Sequence, residues 1–344
     1  MKKKRVIEAM INRKILLRTR PHDWPTDETF EFREEPIPQP GEGQVLVRSI
    51  YLSVDPYMRG RMSAAKSYTE PYRVGEVIEG GVVGEVVESR SDKFKPGDKV
   101  LGMLGWQLYG VAEADKLRKL DEQAAPISAN LGVIGMTGLT AYFGLMDIGK
   151  PKAGETVVVS GAAGAVGSIV GQIAKIQGAR VVGIAGSDEK TAWLTEELGF
   201  DAAINYKTTP NLQEALEKAC PQGVDVYFDN VGGEISDAVT SQLNDYARIA
   251  LCGAISAYND TTGSKDVGPR VFVKLIKTRS LMKGFVLAEY MDRLPEGAAK
   301  LGQWLAEGKL KHEETIIEGF DRVPEAFLEL FKGSNIGKML VKVG

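Results

Sequence analysis

The 344-residue sequence has few residues that form disulfides or bind metals. Cysteine occurs only at Cys220 and Cys252, and histidine only at His22 and His312. Two cysteines with no pairing pattern argue against a disulfide-stapled secreted protein, so we expect a cytoplasmic chain. Neither histidine has a second ligand at the spacing of a metal site, so we expect no bound metal.

Long apolar runs and an excess of positive charge are also missing. No uncharged stretch approaches the roughly 20 residues that a membrane-spanning helix needs. Residues 1–5 are basic, but Glu8, Asn12 and Arg13 interrupt the apolar core that a signal peptide would require. The net charge of −3 offers no basic face for a nucleic acid. We therefore expect a small-molecule partner, and neither a membrane nor a nucleic acid.

The length favours two domains, and the pattern of the chain changes near Gly135. Short strands punctuated by glycine and proline are predicted for residues 13–18, 44–52, 76–88 and around Val100, with a loop at 55–62. Beyond a small-residue helix at 135–145, strands are predicted at 157–159, 180–185, 202–206, 224–229 and 247–252, with helices at 189–198, 212–219 and 298–306. This order predicts an α/β chain, in which a doubly wound parallel sheet interrupts a β-rich domain. The last strand, 339–343, has no helix after it and can rejoin the first domain.

A glycine-rich turn follows the buried strand at 157–159. Glycine recurs at every third position, Gly161, Gly164 and Gly167, and a helical pattern begins directly afterwards. Such a turn lets backbone N–H groups approach a pyrophosphate at the start of a helix. We expect this contact from Gly164, Ala165, Val166, Gly167 and Ser168, although a strand-to-helix turn that serves only packing would also use glycine.

The residues at the end of the second strand of this sheet indicate whether the cofactor is NAD or NADP. A carboxylate there would bind the adenosine ribose, and Asp188 is close enough to take that role. However, Gly186 and Ser187 leave space where the carboxylate usually lies, and Lys190 can meet a 2′-phosphate. We favour NADPH; the alternative is that Lys190 is an ordinary solvated charge at the start of a helix.

Several motifs, taken together, resemble the medium-chain dehydrogenase/reductase superfamily. They are FKPGDKV at 94–100, AAGAVG at 162–167 and DVYFDNVGG at 225–233. LSVDPYMR at 52–59, CGAISAYN at 252–259 and GSNIGK at 333–338 resemble more narrowly its zinc-independent double-bond reductases. That branch includes prostaglandin, plant alkenal and bacterial curcumin reductases.

The resemblance implies a fold, an assembly and further cofactor contacts. Residues 1–134 would form a GroES-like catalytic domain, 135–305 a Rossmann domain, and 306–344 a segment returning to the first, often within a homodimer. The positions matching the family's cofactor contacts are Lys190, Tyr206, Asn230, Cys252, Gly253, Ala254, Ile255, Ser256, Tyr258, Phe285, Val286, Leu287 and Asn335. For Asn230 and Asn335, local turn capping is the alternative.

The resemblance also implies reduction of the C=C bond of α,β-unsaturated aldehydes and ketones. Hydride added to the β carbon leaves negative charge on the carbonyl oxygen, which a neutral donor would stabilise. Tyr57 is our candidate for that donor; it would otherwise anchor its loop by packing. Lys277 stands where some relatives have a further tyrosine, and we leave it out of the catalytic set. The alternatives are a quinone oxidoreductase of the same superfamily and a non-catalytic NADPH-binding redox sensor.

Overall fold

The computed structural model describes residues 11–123, 125–260, 262 and 266–344. The basic stretch at residues 1–5 lies outside this described part. The chain separates into two units that are each internally packed. Unit 1 extends to Ser128 and also contains Ile316–Leu328 and Leu340–Gly344, whereas unit 2 contains Ala129–Thr315 and Glu329–Met339.

The strands and helices follow in chain order. The strands are β1 (Ile11–Leu17), β2 (Phe30–Pro36), β3 (Gln44–Ser53), β4 (Val82–Ser89), β5 (Lys99–Gly102), β6 (Tyr109–Glu113), β7 (Arg118–Lys119), β8 (Thr156–Ser160), β9 (Arg180–Ala185), β10 (Ala202–Asn205), β11 (Val224–Asp229), β12 (Leu243–Leu251), β13 (Leu281–Gly284), β14 (Glu314–Glu318) and β15 (Lys338–Lys342). The helices are α1 (Tyr57–Arg61), α2 (Met136–Phe143), α3 (Gly167–Ile176), α4 (Asp188–Ala192), α5 (Leu212–Ala219), α6 (Gly233–Thr240), α7 (Phe272–Thr278), α8 (Leu294–Ala306) and α9 (Val323–Lys332).

Unit 1 is built around strand β3, which pairs antiparallel with β4, β6 and β15. The consecutive residues Val45, Leu46 and Val47 are all buried, so both faces of this part of β3 are covered. Strands β1 and β2 form a separate antiparallel pair. Trp106 is fully buried, and its ring packs against Phe30 and Phe327 with centroid distances of 6.0 and 5.7 Å. These aromatic contacts lie in the core of the unit.

Unit 2 contains one parallel sheet with the strand order β10-β9-β8-β11-β12-β13. This is the 3-2-1-4-5-6 order of a doubly wound dinucleotide-binding sheet. The three valines of β8, Val157, Val158 and Val159, are fully buried, because helices cover both faces of such a sheet. The predicted fold class, a GroES-like β-rich part with a Rossmann sheet, is confirmed.

Several local predictions differ from the structure. The predicted loop at 55–62 contains the short helix α1, and the predicted strand at 76–88 begins only at Val82. The elements β2, β13, β14, α6, α7 and α9 were not predicted from the sequence. The division at Ser128 lies before the predicted boundary at 134, and the last 39 residues alternate between the two units instead of returning as one segment. Residues 340–342 pair with β3.

Candidate active site

The turn between β8 and α3 carries few side chains, because glycine occupies positions 161, 164 and 167. Gly161 has φ +57°, a left-handed conformation that favours glycine. A Cβ on Gly167 would lie 2.4 Å from the carbonyl oxygen of Gly161 and 2.8 Å from Cα of Ala162. The N–H of Gly164 donates to the Gly161 carbonyl at 3.0 Å, and that of Ser168 to the Gly164 carbonyl at 3.1 Å. Ala165 and Val166 complete the turn. The bare backbone before a ten-residue helix is the arrangement that a pyrophosphate requires.

Most of the other predicted cofactor residues follow the carboxyl ends of parallel strands. Gly186 and Ser187 follow β9, Tyr206 follows β10, Asn230 follows β11, Cys252 follows β12 and Phe285 follows β13. Because the six strands are parallel neighbours, these ends meet at one edge of the sheet. The strand order reverses between β8 and β11, and ligands of open α/β sheets bind at such a switch point.

A buried polar pair at this switch point was not predicted from the sequence. The hydroxyl of Ser160 donates to Oδ1 of Asp229 at 2.7 Å, and both residues are at most 2% exposed. The same carboxylate oxygen accepts the N–H groups of Val231 and Gly232. The backbone carbonyl of Asp229 accepts the N–H of Cys252 at 2.8 Å. The pair therefore fixes the turns after β11 and β12. The sequence feature that could have revealed the pair is a polar residue at the end of each of two buried strands.

The two predicted asparagines both use their amide nitrogens within the protein. Nδ2 of Asn230 donates to the Ser160 carbonyl at 2.8 Å. Nδ2 of Asn335, which is 8% exposed, donates to the Gly337 carbonyl at 2.7 Å. Gly337 in turn donates its N–H to the carbonyl of Ala163, inside the glycine turn. Asn335 thus caps local backbone in the segment attached to that turn, whereas Asn230 ties the end of β11 to the end of β8.

Residues 252–258 form a compact turn held by its own side chains. Burial raises the pKa of the Cys252 thiol to about 12, so the thiol is neutral at physiological pH. The hydroxyl of Ser256 donates to the Val231 carbonyl at 2.6 Å. The N–H of Ala254 donates to the Tyr258 hydroxyl at 3.3 Å. Between them, the N–H groups of Gly253 and Ile255 donate to the carbonyls of Asp229 and Asn230 at 3.1 and 3.3 Å.

The segment after β13 contains one core residue. Phe285 is 7% exposed, and its ring meets Phe228 edge-on at 6.1 Å. A Cβ on Gly144 would lie 2.3 Å from that ring. Val286 donates its N–H to the Glu289 carboxylate, and Leu287 begins a 3-10 turn. Packing, rather than a polar side-chain contact, explains the phenylalanine, and the N–H and carbonyl of Val286 are both hydrogen-bonded to Glu289.

The side chains of the predicted phosphate region lie together after β9 and β10. A Cβ on Gly186 would lie 3.1 Å from Cε1 of Tyr206. The hydroxyl of Ser187 accepts the N–H of Lys190 at 3.3 Å and so caps α4. Nζ of Lys190 donates to the Gly333 carbonyl at 2.6 Å, and burial lowers the pKa of its ammonium. The region is cationic and close to bare backbone.

The competing carboxylate, Asp188, is held by another side chain. Nδ2 of Asn205 donates to Oδ1 of Asp188 at 2.7 Å. A carboxylate that binds a ribose would offer its oxygens to the sugar hydroxyls instead. This contact favours the phosphate interpretation of the region.

The predicted catalytic residue, Tyr57, begins helix α1 in unit 1. Its neighbours in the helix, Met58 and Arg59, are buried. The guanidinium of Arg59 donates to the carbonyl of Asp23 at 2.7 Å. Asp55, 3% exposed, accepts a hydrogen bond from the Ser53 hydroxyl at 2.5 Å. These contacts hold the helix against the unit from which it projects.

The Tyr57 hydroxyl is a neutral hydrogen-bond donor at physiological pH. Burial, and then the negative charge of Asp55, raise the pKa of Tyr57 well above its ordinary value. Neighbouring Tyr72 differs in its role, because its hydroxyl donates to the Glu79 carbonyl at 2.7 Å. Arg61 lies over the Tyr72 ring at 4.1 Å. The segment can therefore offer a neutral hydrogen-bond donor near the carboxylate of Asp55.

Among the described residues, no group of three or more His, Cys, Asp or Glu side chains is arranged to hold a metal ion. No described helix is long and apolar enough to cross a bilayer. Lys277 lies exposed in the last turn of α7.

The sequence matches two family models and close relatives. Residues 13–120 match the N-terminal domain of oxidoreductase, and 165–301 match a family described as zinc-binding dehydrogenase. A Bacillus subtilis protein, provisionally named NADP-dependent oxidoreductase YfmJ, is 61% identical over 96% of this chain and 97% of its own. The NADPH-dependent curcumin reductase of Escherichia coli is 46% identical, with 96% and 97% covered. Prostaglandin reductase 1 of Rattus norvegicus is 48% identical, with 93% and 95% covered.

A solved structure of similar sequence has the same fold. CurA from Vibrio vulnificus, in complex with NADPH, is 46% identical and superposes with a TM-score of 0.92 over 96% of this chain and 99% of its own. Identity at this level over nearly the full length of both chains shows common descent. This chain belongs to the medium-chain dehydrogenase/reductase family, in the zinc-independent double-bond reductase branch that includes the curcumin and prostaglandin reductases.

Proposed function

We propose that this chain is an NADPH-dependent reductase of the C=C bond in α,β-unsaturated aldehydes and ketones. The observation that carries the proposal is the turn after β8, where a Cβ on Gly167 would meet backbone atoms at 2.4 and 2.8 Å. This close packing of Gly167 fixes a tight turn at the switch point, in which residues 164–166 stay partly exposed, and such a turn suits a dinucleotide. The names of the curcumin and prostaglandin reductases support the choice of substrate class.

The residues present fit NADPH. The first turn of α3 offers N–H groups to the pyrophosphate. Lys190 supplies positive charge for a 2′-phosphate, while Asn205 engages Asp188 at 2.7 Å. A relative of 46% identity was crystallised with NADPH. We assign the pyrophosphate to 164–168, the 2′-phosphate to Gly186, Ser187, Lys190 and Tyr206, and the remaining contacts to Asn230, 252–256, Tyr258, 285–287 and Asn335.

The chemical role of the protein is to stabilise charge on the substrate. Bound NADPH supplies a hydride to the β carbon. Tyr57 donates a hydrogen bond to the carbonyl oxygen, on which negative charge develops as the enolate forms. Because its pKa is raised, Tyr57 stays protonated throughout the neutral range and keeps its donor hydrogen.

The test follows NADPH oxidation at 340 nm with three substrates: an aliphatic enone, its saturated ketone and a benzoquinone. We expect oxidation with the enone, none with the saturated ketone, and a saturated product by mass spectrometry. Turnover of the quinone alone would favour the quinone oxidoreductase alternative. No oxidation across a panel of enones and enals would support the redox-sensor alternative.

We further propose a homodimer that forms through α7 and β13. Phe272 and Ile276 of α7 are 65% and 76% exposed, and Leu281 of β13 is 52% exposed. Strand β13 is the last strand of its sheet in the described part of the chain, and an uncovered edge with apolar neighbours is a pairing surface. Light scattering should give a dimer for the native chain and a monomer for Ile276→Asp. A native monomer, or a dimeric variant, would contradict this.

We also propose that the protein works in the cytoplasm. Cys220 and Cys252 are both free thiols, and Cys220 is buried, as suits a reducing compartment. Cell fractionation with an antibody should recover the protein with cytoplasmic markers; recovery in a secreted fraction would contradict this.

A further inference from the structure

A second lysine lies beside the predicted 2′-phosphate region. A Cβ on Gly186 would lie 3.2 Å from Cε of Lys207, so the lysine stem passes over the bare backbone after β9. The same Cβ would lie 3.1 Å from the ring of Tyr206. Lys190 is close enough for the charge of Lys207 to act on it, because that charge, after burial, lowers the pKa of Lys190. The Lys207 stem therefore lies over Gly186, with the ammonium of Lys190 near enough to interact with its charge.

The position of Lys207 is set by a turn that Asn205 organises. The side-chain oxygen of Asn205 accepts the N–H of Lys207 at 3.1 Å. Its backbone carbonyl accepts the N–H groups of Thr208 and Thr209. The N–H of Tyr206 donates to the carbonyl of Ala185 on β9. The turn is thus tied both to itself and to the neighbouring strand, which limits where the Lys207 backbone can move.

Among nearby acids, Glu189 acts on Lys190 through its charge but forms no ion pair with it. Within the described ranges, neither Lys190 nor Lys207 forms an ion pair. The adjacent acid, Asp188, receives its hydrogen bond from Asn205 instead. Two ammonium groups placed together repel each other, and a dianion between them removes that cost. A phosphate monoester carries nearly two negative charges at neutral pH.

We propose that Lys207 is a second cation for the 2′-phosphate of the dinucleotide and so a determinant of NADPH over NADH. This rests on the proposed function, which assigns only Lys190 as the phosphate cation. Lys190 keeps donors for the phosphate while it holds Gly333, because an ammonium has three. Lys207 balances the remaining negative charge of the phosphate from the side of Gly186.

The experiment measures binding of two fragments to the full chain by calorimetry, without turnover. Adenosine 2′,5′-bisphosphate carries the 2′-phosphate, and AMP lacks it. Lys207→Met removes the charge at similar length, Lys207→Arg keeps it, and Lys218→Met is the matched control, since Lys218 is exposed on α5. Lys207→Met should weaken bisphosphate binding about tenfold and change AMP binding less than twofold. Lys207→Arg and Lys218→Met should bind as the native chain does.

The outcomes separate this inference from the proposed function. If Lys207→Met binds the bisphosphate like the native chain while Lys190→Met does not, Lys207 is no phosphate ligand and the NADPH proposal stands. If Lys207→Met weakens both fragments equally, the residue supports the sheet edge only, and the inference is overturned. If the native chain binds the bisphosphate no more tightly than AMP, the NADPH proposal itself fails.

Discussion

The glycine turn of unit 2 and the Tyr57 segment of unit 1 are built by different means. In unit 2, the glycine turn after β8 owes its shape to missing side chains, since a Cβ on Gly167 has no space. In unit 1, Tyr57 owes its position to contacts that its neighbours in the helix make with residues distant in sequence, such as that of Arg59 with the carbonyl of Asp23. The glycine turn thus depends on residues adjacent in sequence, whereas the position of Tyr57 depends on long-range contacts. Substitutions in each unit, with matched controls, test that difference.

The largest effect should come from adding one methyl group to the turn. Gly167→Ala places Cβ against two backbone atoms, so we expect a loss of about 1–3 kcal/mol in the free energy of unfolding. NADPH affinity should fall by about 100-fold or more, because the turn that we assign to the pyrophosphate must shift to accommodate the Cβ. Calorimetry and denaturant titration measure both.

Gly302→Ala provides the matched control in helix α8. Nothing lies within 4 Å of a Cβ at Gly302, so the substitution should stabilise by about 0.5–1 kcal/mol and leave NADPH binding unchanged. Equal behaviour of the two variants would show that the turn tolerates side chains.

The next effect concerns the proton donor in unit 1. Tyr57→Phe removes one hydroxyl and should lower kcat/KM for an enone about 100-fold, with NADPH affinity within twofold of native. Steady-state kinetics measures kcat/KM, and calorimetry measures the affinity for NADPH separately. Tyr72→Phe is the control: its hydroxyl bonds the Glu79 carbonyl, so it should cost about 1 kcal/mol of stability and little turnover. Unchanged turnover in Tyr57→Phe would show that the tyrosine contributes packing only.

A smaller effect is expected at the phosphate end of unit 2. Lys190→Ala should raise the KM for NADPH about tenfold and leave the KM for NADH unchanged, because only NADPH carries the 2′-phosphate. Parallel titrations with the two cofactors measure this. Equal changes for both would mean that Lys190 holds the Gly333 segment in place and does not select the cofactor.

The smallest effect is a pH dependence of stability in unit 1. Asp98 is 8% exposed, and its hydrogen bonds to Lys119 and to the backbone N–H of Lys95 lower the pKa of its carboxyl. A lowered carboxyl pKa contributes stability that is present above its unfolded value, near 4, and is lost as pH falls through the folded value. Between pH 7 and pH 3, Asp98→Asn should lose about 0.5–1 kcal/mol less stability than the native chain. An equal loss of unfolding free energy in Asp98→Asn and the native chain over this pH range would contradict the prediction.

The sequence predicted the elements of unit 2 better than those of unit 1. Strand β8 and the glycine turn are local patterns, and both appear where predicted. Strand β2 was missed because charges alternate with Phe30 and Phe32, and helix α1 because Pro56 and Gly60 suggest a loop. The buried Ser160–Asp229 pair joins residues 69 apart, which no local pattern shows. The alternation of the last residues between units likewise depends on distant strand partners.

The most direct test of the central claim traces the transferred hydrogen. The enone is reduced with NADPH labelled with deuterium at the reactive C4 position, and the product is analysed by NMR and mass spectrometry. We predict a saturated ketone with one deuterium on the former β carbon. Deuterium on the carbonyl carbon of an allylic alcohol, or a product without deuterium, would contradict the account.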